Sequence, residues 1–148
     1  MSAQPAAFRA ATPADAVALT DLERDANLVA LAHVFPDTAY PWDDVRHRWE
    51  HALADPKVRV EVAGPAERLD AYVCWDPLTL RHLAVRPERW GSGLGRQAVE
   101  RAVGVTRLWC LIENHRARGL YEHLGWRPTG REQSAVWPPY PREMEYAR

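Results

Sequence analysis

Gly91, Gly93 and Gly95 fall within five positions of "ERWGSGLGRQAVE", between a run of strand character and a run of helical character. Glycine lets a backbone turn tightly and approach a neighbour or ligand with no Cβ in the way. Ahead of the cluster, "TLRHLAV" (79–85) reads as a strand; behind it a helix is expected over roughly 93–103, and "TRLWCLI" (106–112) returns as a strand. Strand, glycine turn, helix, strand is a βαβ unit, which requires two parallel strands joined by a right-handed crossover.

The rest of the chain is organised around that unit. Phe8–Ala11 is a short strand candidate, and "TPAD" starts a helix with Thr12 as N-cap, Pro13 in first position and Asp15 near the positive end. Ala18, Leu22, Ala26 and Val29 recur at helical spacing, and Val45, Trp49, Ala52 and Leu53 mark one face of a second helix that Asp55-Pro56 closes. Val58, Val60 and Val62 then alternate with charged residues, "AGPAER" turns, and "LDAYVCW" answers as the partner strand of a hairpin. A last helix over about 115–124 ends at Gly125, and "EMEYA" is a short strand candidate near the C-terminus. These elements predict an α+β fold in one domain spanning 1–148, with a mostly antiparallel sheet, one central parallel strand pair and about four flanking helices. The 148 residues, 47% of them apolar, suffice for one core. The 19 basic and 20 acidic residues give a formal net charge of -1 and no basic field for nucleic acid or an anionic membrane surface. No apolar run reaches the ~20 residues of a membrane span, and the N-terminus lacks a signal-peptide pattern, so the expectation is a cytoplasmic protein. Cys74 and Cys110 sit in strand-like apolar runs and are expected to be buried, reduced thiols.

A glycine turn opening a helix suits a phosphate or pyrophosphate, because the helix start offers unpaired N–H donors and a partial positive charge. A tight packing turn is the alternative. The dinucleotide fingerprint G-x-G-x-x-G needs a glycine where Arg96 stands, and a P-loop needs a Gly-Lys pair that the chain lacks. The acyl-CoA loop (Q/R)-x-x-G-x-(G/A) fits Trp90-Gly91-Ser92-Gly93-Leu94-Gly95 except at Trp90. With "HLAVRP" before it, this stretch resembles motif A of the GNAT superfamily of acyl-CoA N-acyltransferases, and "NHRARGLYEHLGW" (114–126) resembles the family's motif B. The two occur in the family's order, and the family's element order matches the whole chain.

The resemblance implies a GNAT-like fold whose two parallel strands splay apart around the pantetheine arm of acetyl-CoA, the co-substrate, with no metal. Backbone groups of Leu83 and Val85 would pair with the arm. The pyrophosphate would lie on the loop from Trp90 through Gly91, Ser92, Gly93, Leu94 and Gly95 to Arg96, with the Arg96 guanidinium adding a charge-assisted contact. Asn114 would contact the arm near the thioester or cap the last helix. Tyr121 would protonate the departing thiolate, a transfer whose cost is modest from a phenol of pKa ~10 to a thiolate whose thiol lies near ~8.5; packing on the last helix is its other role. The family's base glutamates fall here on Thr79 and Trp109. That leaves His82 as base candidate, with Glu113, His115 or water as weaker routes. A lysine-like amine near ~10.4 is neutral about once in 10³ at pH 7, so the need for a base depends on the acceptor.

The family's acceptor side is walled by the connection between the first two helices, here "HVFPDTAYPW" with Phe35, Tyr40 and Trp42, and by "WPPYP" with Trp137; Asp37, Asp43 and Asp44 are nearby, but neither loop has the acidic cluster that would favour a polyamine or aminoglycoside. Aromatics stiffened by proline suit a pocket for an apolar or flat amine, small molecule or peptide; the alternative is that Phe35, Trp42 and Trp137 simply cover core. The activity so implied is acetyl transfer to that amine, with a possible homodimer; the alternative is a CoA-binding sensor or assembly module with little catalysis. "HRWEH" (47–51) spells a zinc-peptidase pattern, but its histidines lie on the helix face opposite Val45 and Trp49, as a solvated face would.

Overall fold

The computed structural model describes residues 7–35 and 40–148. Pro36 to Ala39, including Asp37 of the expected acceptor loop, lie outside the described residues.

A seven-stranded sheet runs in the order β1-β2-β3-β4-β5-β7-β6, from Phe8–Ala10 (β1), Arg59–Ala63 (β2), Ala71–Trp75 (β3), Thr79–Val85 (β4), Arg107–Leu111 (β5), Arg127–Ser134 (β6) and Arg142–Ala147 (β7). Every neighbouring pair is antiparallel except β4 with β5. Helices α1 (Ala16–Ala30) and α2 (Trp42–Ala54) cover one face, and α3 (Leu94–Arg101) and α4 (His115–His123) pack toward the other. The α+β class, the single parallel pair and the four helices are as the sequence predicts. Among the described residues no helix is long and apolar enough to cross a membrane.

Two cores separate along the sheet faces. Leu19, Leu22, Val45 and Trp49 meet Val62, Tyr72 and Cys74 on one side, while Ala98, Val99 and Ala102 meet Val73, Leu108, Trp126 and Tyr146 on the other. Val29 does not join the buried stripe of α1; it is 56% exposed, and Leu19 and Glu23 take the inward positions instead. The strand β6 has no counterpart in the sequence reading. All eight of its residues are exposed, so no face of it carries the apolar alternation that betrays a half-buried strand.

The parallel pair is short by construction. Only Thr79 with Arg107 and Leu80 with Leu108 are in register. At the same level the β3–β4 ladder shifts, with Trp75 opposite Leu80 and Cys74 opposite His82, so Arg81 is an extra residue. A bulge bends its strand and increases local twist, and β4 leaves β5 from this point. The remainder of β4, through Val85, is open on its β5 side.

Candidate active site

The turn after β4 is anchored from below. Arg86 is 3% exposed; its Nε donates to the Leu69 carbonyl at 2.8 Å and its Nη1 to Asp25 on α1 at 3.2 Å. A single 3-10 turn, Pro87–Arg89, leads into the glycine segment. Gly93, the N-cap of α3, has φ +87°, a left-handed conformation that side-chain-bearing residues rarely adopt. The Gln97 N–H bonds back to the Gly93 carbonyl at 3.1 Å, so the N–H groups of Leu94, Gly95 and Arg96 precede the first full helical bond and point out of the helix start.

These elements wall a cavity of about 440 Å³ in the β4–β5 opening, with α1 on one side and α4 on the other. Of the residues expected to hold the co-substrate, Leu83, Val85, Trp90, Gly91, Gly93, Gly95, Arg96 and Asn114 line it. Ser92 and Leu94 do not: the Ser92 hydroxyl donates to the Arg89 carbonyl at 2.6 Å, and the Leu94 side chain is buried in the fold. The Val85 carbonyl already accepts the Trp90 indole N–H at 2.9 Å, so one of its two lone-pair positions is taken. Asn114 caps α4, its Oδ1 accepting the Ala117 N–H at 3.2 Å, and lines the cavity at once.

Tyr121 lies behind this wall and lines no described cavity. It packs edge-on to Trp126 with ring centroids 6.3 Å apart, and at 6.3 Å from Tyr146. Burial, with the neighbouring Cys110, pushes its phenol pKa up, so the hydroxyl stays protonated at neutral pH. Both cysteines are free and buried, and burial pushes each thiol up to about 12, which makes them inert at neutral pH.

His82 also lies off the cavities. It points to the α1–α2 side of the sheet, edge-on to Trp49 with centroids 5.5 Å apart. Burial, reinforced by the Arg48 and Arg81 charges, holds its imidazole pKa well below the ordinary histidine value. It is therefore neutral at pH 7 but a weak proton acceptor.

On that same side a second cavity, about 680 Å³, is bounded by α1, Phe35, the start of α2 and the loop 136–138. Phe35 and Tyr40 line it as expected, along with Trp137; Trp42 does not, because its indole N–H donates to Asp21 at 3.0 Å and Arg46 covers its ring. Glu23, a residue that the sequence did not single out, reaches this cavity from α1. Its Oε1 pairs with Arg48 and accepts the Trp49 indole N–H at 3.1 Å and the Tyr72 hydroxyl at 3.3 Å. The Tyr40 hydroxyl is buried without completing a hydrogen bond among the described residues. Glu23 and Asp44 give the lining two carboxylates and no lysine or arginine, amid Leu28, Leu31 and Val136. Asn27 of α1 lines both cavities.

His33, Glu113 and His115 form an exposed cluster in which the His33 Nε2 lies 2.7 Å from the Glu113 carbonyl and the His115 Nε2 lies 3.2 Å from its carboxylate. The cluster ties the end of α1 to the turn before α4. His47, Glu50 and His51 are exposed on α2, opposite the buried Val45 and Trp49.

Residues 58–128 match the acetyltransferase (GNAT) domain family. Comparison with curated proteins gives no match. Among solved structures, the chain is similar to an acetyltransferase from Thermus thermophilus, at 23% identity over 100% of this chain and 99% of that one, with a TM-score of 0.72. It is similar at 14% identity, over 100% of both chains and with a TM-score of 0.72, to the PaiA N-acetyltransferase from Thermoplasma acidophilum in complex with coenzyme A. A chimera of the Vibrio cholerae spermidine N-acetyltransferase SpeG superposes with a TM-score of 0.66, at 17% identity, over 97% of this chain and 94% of the chimera.

Proposed function

We propose that this chain, a GNAT-fold protein with a GNAT acetyltransferase domain match over residues 58–128, is an acetyl-CoA-dependent N-acyltransferase for an amine acceptor with an apolar or flat body. The observation that carries the proposal is that two chemically different cavities share Asn27 in their walls. One is made of glycine backbone, helix-start N–H groups and arginines, which suits the phosphates and amides of CoA. The other is apolar and aromatic with two carboxylates, which suits an ammonium ion on an apolar body.

Acetyl-CoA supplies an activated thioester. Asp44 draws the acceptor in as its cation, with Glu23 largely engaged by Arg48, and Asn27, in the wall of both cavities, stands between amine and thioester. The amine must lose a proton before it attacks. For an amine near ~7.7 that costs only about 1 kcal/mol at pH 7, and water suffices. For a lysine-like amine it costs roughly 4.6 kcal/mol, which His82, held neutral but weakly basic, offsets little. As the C–S bond breaks, the sulfur takes its proton from the Tyr121 hydroxyl through an intervening water, since Tyr121 itself lines neither cavity. Burial keeps that proton in place at neutral pH and also makes the phenol a weaker acid than an ordinary tyrosine, so the transfer costs more than from a free phenol.

The test is release of free CoA thiol from acetyl-CoA with a panel of alkyl-, arylalkyl- and polyamines. We expect turnover with amines of apolar body and a drop of ~10²-fold or more in kcat for Tyr121→Phe, with CoA affinity retained. Thermal stabilisation by acetyl-CoA without thiol release for any amine would instead make the chain a CoA-binding module. Unchanged kcat in Tyr121→Phe, with the chemical step shown to limit turnover, would remove Tyr121 as the acid.

A further inference from the structure

We propose that Arg116, held over the indole of Trp90, is the cation that grips the diphosphate of CoA, in place of Arg96. The assignment rests on the acyl-CoA reading of the glycine-lined cavity and names the side chain that reads the phosphates there.

Three arginines line the cavity: Arg89, Arg96 and Arg116. Two of them already face carboxylates. Arg89 Nη1 lies 3.6 Å from Asp70, and Arg96 Nε lies 3.0 Å from Glu100 one helical turn away. Arg116 makes no ion pair among the described residues. Its guanidinium carbon instead stands 3.8 Å from the centroid of the Trp90 ring, stacked on an aromatic face. A π face attracts a cation without using its N–H donors. The fork of Arg116 therefore remains free to take two phosphate oxygens side by side.

The stack is itself fixed. The Trp90 indole N–H is tied to the Val85 carbonyl at 2.9 Å, which sets the ring at the rim of the cavity, next to Gly91 and Gly93. Arg116 comes from the opposite wall, in the first turn of α4, a turn that contains no acidic residue. A cation at a helix start opposes the helix dipole. Nothing within α4 compensates it, and an anion seated between Arg116 and the N–H groups at the start of α3 would. The tryptophan at the first position of the glycine loop thus acts as a platform that carries an arginine from another element to the anion.

The experiment is calorimetric titration of CoA and, separately, of pantetheine, which shares the arm but lacks the phosphates. Unmodified chain is compared with Arg116→Gln, Arg116→Lys, Arg96→Gln and Trp90→Ala, each checked for folding by circular dichroism. We expect Arg116→Gln to weaken CoA ten- to a hundredfold and leave pantetheine unchanged. Arg96→Gln should weaken CoA by less than Arg116→Gln, Arg116→Lys should fall between it and the unmodified chain, and Trp90→Ala should weaken CoA through loss of the platform. Salt dependence of CoA affinity should be shallower in Arg116→Gln. Unaltered CoA affinity in Arg116→Gln, an equal loss for pantetheine, or a larger loss in Arg96→Gln would each overturn the assignment. Failure of the unmodified chain to bind CoA would overturn the acyl-CoA reading itself and the assignment with it, an outcome distinct from the other three.

Discussion

Asp15 gathers three short hydrogen bonds at the entry to α1. Its carboxylate accepts the Thr12 N–H at 2.7 Å and both terminal nitrogens of Arg9 at 2.9 Å, and the residue is 5% exposed. The Arg9 hydrogen bonds, aided by the Thr12 N–H, hold its pKa below the ordinary aspartate value despite burial. A depressed carboxyl pKa contributes stability above the unfolded-state value near ~3.9 and loses it as pH falls through the lower folded-state value. Asp15→Asn should therefore destabilise the fold by about 1.5–3 kcal/mol at pH 7, the worth of charged hydrogen bonds. The gap should begin to narrow below about pH 4, where the unfolded chain's carboxyl takes up a proton, and close once the pH falls below the depressed native value. Urea unfolding of both proteins at pH 7 and pH 3 measures this, and a pH-independent gap would contradict it. The sequence announced Asp15 through the local pattern T-P-A-D. Glu23, Asn27 and Arg116 gave no such signal. Each acts through partners on other elements, such as Arg48 and Trp49 for Glu23 and Trp90 for Arg116, and no local period encodes those meetings.

Among the elements, α3 must come close to both β4 and α4, and Gly95 sets that distance. A Cβ there would lie 3.2 Å from Leu120 Cδ2 and 3.7 Å from Val85 Cγ2. An alanine meets the movable tip of a leucine and gains up to ~1 kcal/mol in helix propensity, so Gly95→Ala should lie within about 1 kcal/mol of the parent. Gly95→Val adds two methyl groups against the same wall and should cost about 1–3 kcal/mol by overpacking. Thermal or urea unfolding of the pair tests the contact, and a valine as well tolerated as alanine would refute it. Elements with one wet and one buried face were legible, and β4 matches its expected 79–85 span residue for residue. The strand β6 escaped because an edge strand exposed on every residue has no apolar period. Its Arg127, Pro128, Gly130 and Arg131, with the register shift between Pro128 and Glu132, blunt that edge against pairing with other chains. Val29 failed for a related reason: helical spacing alone could not say where the covered arc of α1 ends, and among the described residues Val29 in its last turn stays 56% exposed.

At the scale of the whole molecule, the β4–β5 opening is what turns two helix layers into a site. The bulge at Arg81 bends β4 away after two paired positions, and α1 crosses the opening with Ala26, Asn27 and Ala30 facing it. The glycine loop was legible because helix-start phosphate chemistry demands particular spacings. The second cavity, proposed for the acceptor, was legible only as two aromatic loops, since the Glu23 in its lining and the Asn27 it shares with the first cavity come together only once α1 lies across the sheet. That shared residue gives a test of the two-cavity arrangement as a unit. Asn27→Trp would put a large side chain into the shared wall while leaving the glycine loop, which belongs to another element, untouched. If thioester and amine meet at Asn27, the reacting atoms can no longer be brought into register, and single-turnover acyl transfer should fall by ~10²-fold or more. CoA affinity should change far less, because the glycine loop and the arginine proposed to hold the phosphates belong to other elements than α1. Rapid-quench measurement of acetylated amine beside calorimetric CoA binding separates the two effects. Transfer at the parent rate would show that the amine reaches the thioester by a route that does not pass Asn27.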